Sequence, residues 1–366
     1  MRVLAVSLRD FRCYEHAEVS LGEGLTVVSG RNGAGKTNLL EALYFGCTGR
    51  SCRTTNEREI VRFGAGAARV VVRALGEDGQ HELSVGFEPG QPKRMRVDGA
   101  PVERLLAVEQ RPLISVFLPD RLELVKGAPS LRRAHLDQFV SAMWPARAGT
   151  RRAYAQSLAQ RNALIARIRA GHGSRSSLSS WDAQLAAHGI ALMQDRARAI
   201  DAISELFVRL AGDLGLESDP GLAYRPRSRA SDAAGLVSEL AERIDSDLER
   251  GYTGHGPHRD ELSLSCQGRE LRAYGSQGQQ RLALLALLLA EREAIANARD
   301  AIPVMLLDDV MSELDRDRRD ALVEVLRASG QSVITTTDVE HVPGASDPEV
   351  TRLVVADGQV REEAVV

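Results

Sequence analysis

The 366-residue sequence predicts an α/β domain split by a helical insertion, on three observations. "GRNGAGKTN", from Gly30 to Asn38, lies between the apolar run "LTVV" and the helix-like "TNLLEALYF". A second apolar run, "VMLL" at Val304 to Leu307, ends in the acidic pair Asp308 and Asp309. Between them, residues 119–250 turn to long alanine, leucine and arginine stretches with helical periodicity.

Taken in order, residues 1–118 form the first part of the α/β domain. Leu25 to Ser29 reads as a buried strand, and Leu39, Leu40, Leu43 and Tyr44 share one face of the following helix. "RVVVRAL" and "HELSVGF" flank the turn "GEDG", and Asp98-Gly99 marks a further hairpin. "RRAYAQSLAQRNALIARIRA" and "WDAQLAAHGIALMQDRARAIDAISELFVRL" read as amphipathic helices separated by the loop "GHGSRSSLSS". Residues 251–366 return to strands and helices: "DELSLSC", the helical "SQGQQRLALLALLLAEREAIANA", "VMLLDD", "SVITTT" and the closing hairpin "RLVVADGQV". The sequence shows no internal repeats.

Gly30, Arg31, Asn32, Gly33, Ala34, Gly35, Lys36 and Thr37 have the spacing of a phosphate-binding loop. Small residues there let successive backbone N–H groups converge on phosphate oxygens, while the lysine supplies charge. A strand before and a helix after are the context this motif requires. Such a loop needs a magnesium ligand from a neighbouring strand, and Asp308 stands where it could hold Mg²⁺ beside Thr37. Asp309 would then orient or deprotonate the attacking water. The alternative is a pair of solvated turn carboxylates.

"YGSQGQQR" places Ser276, Gly278 and Gln279 at the start of a strongly helical run, a positive helix end suited to phosphate. Because the chain already carries one phosphate loop, this second anion site makes most sense as a cap on the nucleotide of another copy. An ordinary N-capping serine remains the alternative.

Composition narrows the setting. The net charge of −3 does not by itself indicate a nucleic-acid partner. Cys13, Cys47, Cys52 and Cys266 show neither a disulfide ladder nor paired zinc spacing, which fits reduced thiols. The longest apolar run, residues 282–290, is far below the ~20 residues that span a bilayer, so the chain is expected to be soluble and cytoplasmic, with no membrane partner. The charge is nevertheless uneven. Residues 121–180 carry eleven Lys or Arg against two acids, and residues 181–250 carry eight against thirteen. Arg132, Arg133, Arg151 and Arg152 are the clearest pairs for DNA phosphates, with Arg50, Arg53, Arg58 and Arg62 as a second cluster. A solvated helical face is the competing reading. Aromatics make up 4% of the chain, so stacking on single-stranded bases is not indicated.

Gly30 to Thr37, Ser276 to Gln279, Asp308-Asp309 and "SELD" at Ser312 to Asp315 occur in the order of ABC-type ATPases. Within that class "LRDFRCYEHAEV", "FLPDRLELVKGAPSLRRAHLD", "TGHGPHRDEL" and "LLLDDVMSELD" resemble the RecF family of recombination-repair proteins, over nearly the whole chain. The resemblance implies an ABC/SMC-like P-loop ATPase head with a helical insertion domain. It also implies ATP with Mg²⁺, and a homodimer that forms on ATP around DNA at gaps, junctions or stalled forks. Recombination mediators as partners, recombinase loading and a place in the SOS response follow from the same likeness. Ser312 to Asp315 would meet the partner subunit. Thr337 takes the position of a switch histidine and cannot act as a cationic sensor. Asp309 stands where most relatives have glutamate; its shorter reach is compatible with slow hydrolysis. Arg12 resembles a nucleotide-contacting arginine, though it reads equally as an exposed strand-end residue. A transporter's cytosolic ATPase subunit would share the motifs, but 240 residues separate Lys36 from Ser276, and the helical insertion suits chromosome-type ATPases better.

Overall fold

The computed structural model describes residues 1–216, 219–328 and 330–363. The chain divides into two compact units, one of Met1–Arg121 with Ile295–Val366 and one of Leu122–Ala294.

In the first unit, the strands Leu25–Ser29, Val304–Asp308 and Ser332–Thr336 are buried at every position, as their unbroken β-branched and leucine runs require. They are neighbours in a sheet whose order runs Gln359–Glu362, Thr351–Ala356, Leu25–Ser29, Ser332–Thr336, Val304–Asp308, Ile114–Phe117. All pairings are parallel except the closing hairpin. Parallel pairing aligns the carboxyl ends of the strands on one edge, where ligands sit in open α/β sheets. A second sheet is antiparallel, in the order Tyr14–Ser20, Arg2–Phe11, Ala68–Gly76, Gly79–Phe87, Arg94–Val97, Ala100–Val102. Asp98 and Gly99 both take positive φ at 49° and 80°, so the Asp-Gly dipeptide forms the expected tight turn. Helix Lys36–Thr48 packs with both sheets, joining Phe11, Phe45, Val70, Val72, Leu306 and Val333 in one core.

The second unit holds the helices Pro129–Met143, Thr150–Arg169 and Leu178–Asp213, with Ala233–Glu242 and Ile244–Arg250. Within residues 122–250 the described elements are helical but for one. Pro220–Arg225 is a strand, paired antiparallel with Glu261–Cys266. Its partner lies about 40 residues away, so the strand forms by long-range pairing rather than local propensity. That pairing ties residues beyond 250 to the insertion, and the unit runs to Ala294 instead of ending where the composition changes.

Several charges in this unit are buried and matched. Arg161, fully buried, donates from Nε to Asp182 at 2.6 Å and from Nη1 to Asp247 at 2.6 Å and Thr253 at 2.8 Å. Arg196 donates to both oxygens of Asp137, to Asp260 and to the Pro257 carbonyl. Removing one member of such a pair strands a desolvated charge. Arg161→Ala should therefore lower stability by about 3–5 kcal/mol in urea titration. A change within about 0.5 kcal/mol, typical of a surface substitution, would show that the network does not hold the unit together.

Candidate functional site

The phosphate loop leaves the strand Leu25–Ser29 at its carboxyl end. Two glycines fix its path. Gly30 has φ 156°, and a Cβ there would stand 2.4 Å from the Val355 carbonyl oxygen. At Gly35, with φ 118°, a Cβ would stand 2.7 Å from Cys13 Sγ. The buried Tyr14 hydroxyl braces the loop by donating to the Gly35 carbonyl at 2.9 Å. Arg31, Asn32 and Gly33 are exposed at the turn, and Ala34 is half-buried. Lys36 Nζ curls back to donate to the carbonyls of Gly30 at 2.7 Å and Arg31 at 3.1 Å. Burial lowers the Lys36 ammonium from its ordinary pKa, against the opposing pull of the Asp309 and Asp308 carboxylates.

Asp308 ends the strand Val304–Asp308 and faces this loop. Thr37 Oγ1 lies 3.0 and 2.8 Å from its two oxygens, and Thr335 Oγ1 donates to Oδ1 at 2.6 Å. Three neighbouring strand ends thus converge on one carboxylate. Asp309 follows in the left-handed region at φ 47°, its N–H donating to Thr335 Oγ1 at 3.0 Å. Its Oδ1 is buried without a hydrogen-bond partner. A buried carboxylate oxygen left unsatisfied is costly, and with the unusual φ it marks Asp309 as shaped for something other than folding.

Behind the loop, Glu41 is fully buried on helix Lys36–Thr48. It accepts from Arg12 Nε at 2.8 Å and Nη2 at 2.7 Å, and from Ser51 at 2.5 Å. Arg53 reaches Glu41 at 3.3 Å and Asn38 at 2.9 Å. Arg12 is accordingly not a free strand-end side chain: it is anchored beside the phosphate-loop helix. Sequence reasoning missed Glu41, Tyr14 and Thr335. The adjacency of "TTT" to the end of "SVI" was a signal for Thr335; nothing local marked the other two.

Ser276, Gly278 and Gln279 belong to the second unit and are exposed. Ser276 N–H donates to Gln279 Oε1 at 2.9 Å and Gln279 N–H to Ser276 Oγ at 3.2 Å, a reciprocal capping box on helix Gln277–Arg299. The N-capping role is real, and the helix end still faces solvent. Ser312 Oγ donates to the Asp309 carbonyl at 2.9 Å, and Asp315 accepts from the Arg318 N–H, capping the helix Arg316–Ala328. Thr337 is exposed just past the strand Ser332–Thr336.

The four arginines proposed for DNA do not form one solvated patch. Arg132 is 3% exposed and gives its guanidinium to Glu261 at 2.7 and 3.0 Å and to the Val125 and Gly127 carbonyls. Arg133 is half-buried and donates to the Asp260 carbonyl at 2.8 Å. Counting charge along the chain could not see this burial. Arg151, 3.3 Å from Asp137, and Arg152 are the exposed members. In the other cluster Arg62 pairs with Asp10 at 2.8 Å, while Arg50 and Arg58 are exposed. Among the described residues no helix is long and apolar enough to cross a membrane.

Comparison with known proteins adds to this geometry. An AAA domain family model matches residues 5–99. A solved structure of the recombination mediator protein RecF-ATPrS in the RecFOR pathway superposes with TM-score 0.86 at 26% identity, covering 99% of this chain and 98% of that one. An SMC head bound to the C-terminal winged-helix domain of ScpA, with TM-score 0.62 at 17% identity over 100% of this chain and 98% of that one, shares the fold. The DNA replication and repair protein RecF of Anaeromyxobacter sp. is 37% identical over 98% of this chain and 99% of its own length. That of Myxococcus xanthus is also 37% identical, over 100% of this chain and 98% of its own. Likeness of this degree, end to end, means that the chain belongs to the RecF family of DNA replication and repair proteins.

Proposed function

We propose that this chain is a cytoplasmic ATP-driven clamp in DNA repair and replication maintenance. Two copies close on two ATP molecules around DNA at gaps or stalled forks, and slow hydrolysis releases them. The observation that supports it best is the convergence of Lys36, Thr37 and Asp308 at one sheet edge beside the unsatisfied Asp309 oxygen. ATP appears in the names of solved RecF structures of the same fold, RecF-ATP and RecF-ATPrS. Likeness to RecF over the whole chain leaves the transporter-subunit reading without support.

In this reading Gly30 to Thr37 wrap the phosphates with backbone N–H groups, and Lys36 exchanges its two carbonyl partners for β- and γ-phosphate oxygens. Thr37 and Asp308 are hard oxygen donors already within 3.0 Å, the chemistry that Mg²⁺ selects. When bound, that ion neutralises phosphate charge. Asp309 takes the proton of the attacking water as the β–γ bridge breaks. Its short side chain limits that role, in keeping with a slow timer rather than a rapid turnover enzyme. Ser276, Gly278 and Gln279 cap the γ-phosphate held by the other copy, and Ser312 to Asp315 meet that copy. Recombination mediators, recombinase loading and the SOS response enter as the setting in which the clamp works.

Lys36→Ala should weaken ATP binding roughly tenfold to hundredfold, the worth of charge-assisted hydrogen bonds. Titration with a fluorescent nucleotide reads this, and wild-type affinity in the folded variant would remove the loop from nucleotide binding. For Asp309→Asn, ATP affinity should persist while hydrolysis falls about 10²- to 10⁴-fold. ATP-induced dimers, followed by light scattering, should live longer in that variant. Wild-type phosphate release would clear Asp309 of any catalytic part.

A further inference from the structure

The second unit carries a basic cleft that the nucleotide reading does not use. It encloses about 350 Å³ and is lined by Arg227, Arg250, Tyr252, Gly254 and Arg259. The three arginines are exposed, and among the described residues none is paired with a carboxylate. Arg259 lies over the Tyr252 ring at 5.4 Å. Several other arginines of the unit do find acids: Arg132 meets Glu261, Arg161 meets Asp182 and Asp247, Arg196 meets Asp137, and Arg209 meets Glu293. The cleft keeps its shape only if the backbone that carries these three side chains is held from behind.

It is. Asp247, already bound to Arg161, accepts the Gly254 N–H at 2.9 Å. Thr253 donates from its N–H and hydroxyl to Asn162 at 2.8 and 2.7 Å. His258 Nε2 donates to the Thr253 carbonyl at 2.9 Å, and Tyr154 OH donates to His258 Nδ1 at 2.7 Å. That pattern needs the neutral imidazole, and burial depresses His258 to about 4, which keeps it neutral. On the far wall, the Arg227 N–H donates to Asp260 at 2.7 Å, and Asp260 is itself held by Arg196 at 3.1 Å. The buried ion pairs thus fix a platform whose open face is cationic.

We propose that this cleft is a phosphodiester site, gripping the backbone of DNA at a place separate from the nucleotide-binding loop. The assignment rests on the reading of the chain as a DNA-binding protein. Guanidinium forks match phosphate oxygens in a bidentate way, and a fixed platform reduces the ordering cost of binding. Among the described residues, the lining holds no carboxylate that would repel a phosphate. Tyr252 supplies an apolar wall for the sugar. Charge counting along the chain passed over this cleft because Arg227 and Arg250 sit in the stretch where acids outnumber bases.

The test combines three exposed substitutions, Arg227→Gln, Arg250→Gln and Arg259→Gln, in the full-length protein. Its fold is checked by thermal unfolding and its ATP affinity by nucleotide titration, both expected to match wild type. Duplex DNA affinity measured across a potassium chloride series should lose about two to three units of log–log salt slope, near 0.9 for each phosphate contact removed. An unchanged affinity and slope would overturn the site while leaving DNA binding elsewhere intact. A wild-type protein with no salt-dependent DNA binding would overturn both the site and the DNA reading. Free nucleotide shares the phosphate chemistry, so pyrophosphate is titrated in a Lys36→Ala background. Pyrophosphate binding that the triple substitution abolishes, with the DNA slope unmoved, would reassign the cleft to small phosphates and overturn the proposal.

Discussion

The Asp308 carboxylate is the point on which the first unit turns. It ends one parallel strand, receives the Thr37 hydroxyl from the helix launched by another, and receives Thr335 from the strand between them. Only parallel pairing in this order brings three strand ends together. A register slip of one residue in Val304–Asp308 would turn Asp308 to the other face of the sheet and leave the loop facing an apolar side chain. The buried β-branched and leucine runs that hold this register are therefore as necessary to the site as the polar groups themselves. Asp309 sits beyond the last residue so ordered, in a left-handed conformation whose strain the surrounding core must offset.

The second unit answers a different demand with ionic rather than apolar means. Fully buried arginines seldom add net stability over well-packed apolar residues, because desolvation offsets their attraction. What Arg161 and Arg196 provide is direction. Each is aimed at two aspartates from separate segments, and together they fix residues 252–260 in one conformation. In the proposed cycle this rigidity matters, since the capping helix and the cationic cleft would both have to present fixed geometry to a partner.

Legibility in the sequence followed the range of the interactions. The phosphate loop, the acidic pair and the hairpins at Asp98-Gly99 and Asp357-Gly358 are written in adjacent residues, where turn chemistry and periodicity apply. The loop's supports were not legible. Tyr14 and Glu41 act through partners that only the fold brings near, and Glu41 sits in a helix buried at ten of its thirteen positions, whereas a carboxylate ordinarily faces solvent. Arg132 misled for the same reason in reverse: a basic run reads as a surface until Glu261, 129 residues away, claims one of its members. The strand Pro220–Arg225 was hidden because it owes its existence to Glu261–Cys266.

The central claim is that two copies build each nucleotide site together, and mixing two defective variants tests it most directly. Ser276→Arg removes the proposed cap, and Lys36→Ala removes the phosphate grip. With ATP near the wild-type Kd each alone should hydrolyse little, whereas a mixed dimer keeps one complete site. An equal mixture should recover roughly a quarter of wild-type hydrolysis, since half of randomly paired two-fold dimers are mixed and each has one working site of two. A mixture no more active than its separate components, or Ser276→Arg alone turning over ATP at the wild-type rate, would contradict the shared site.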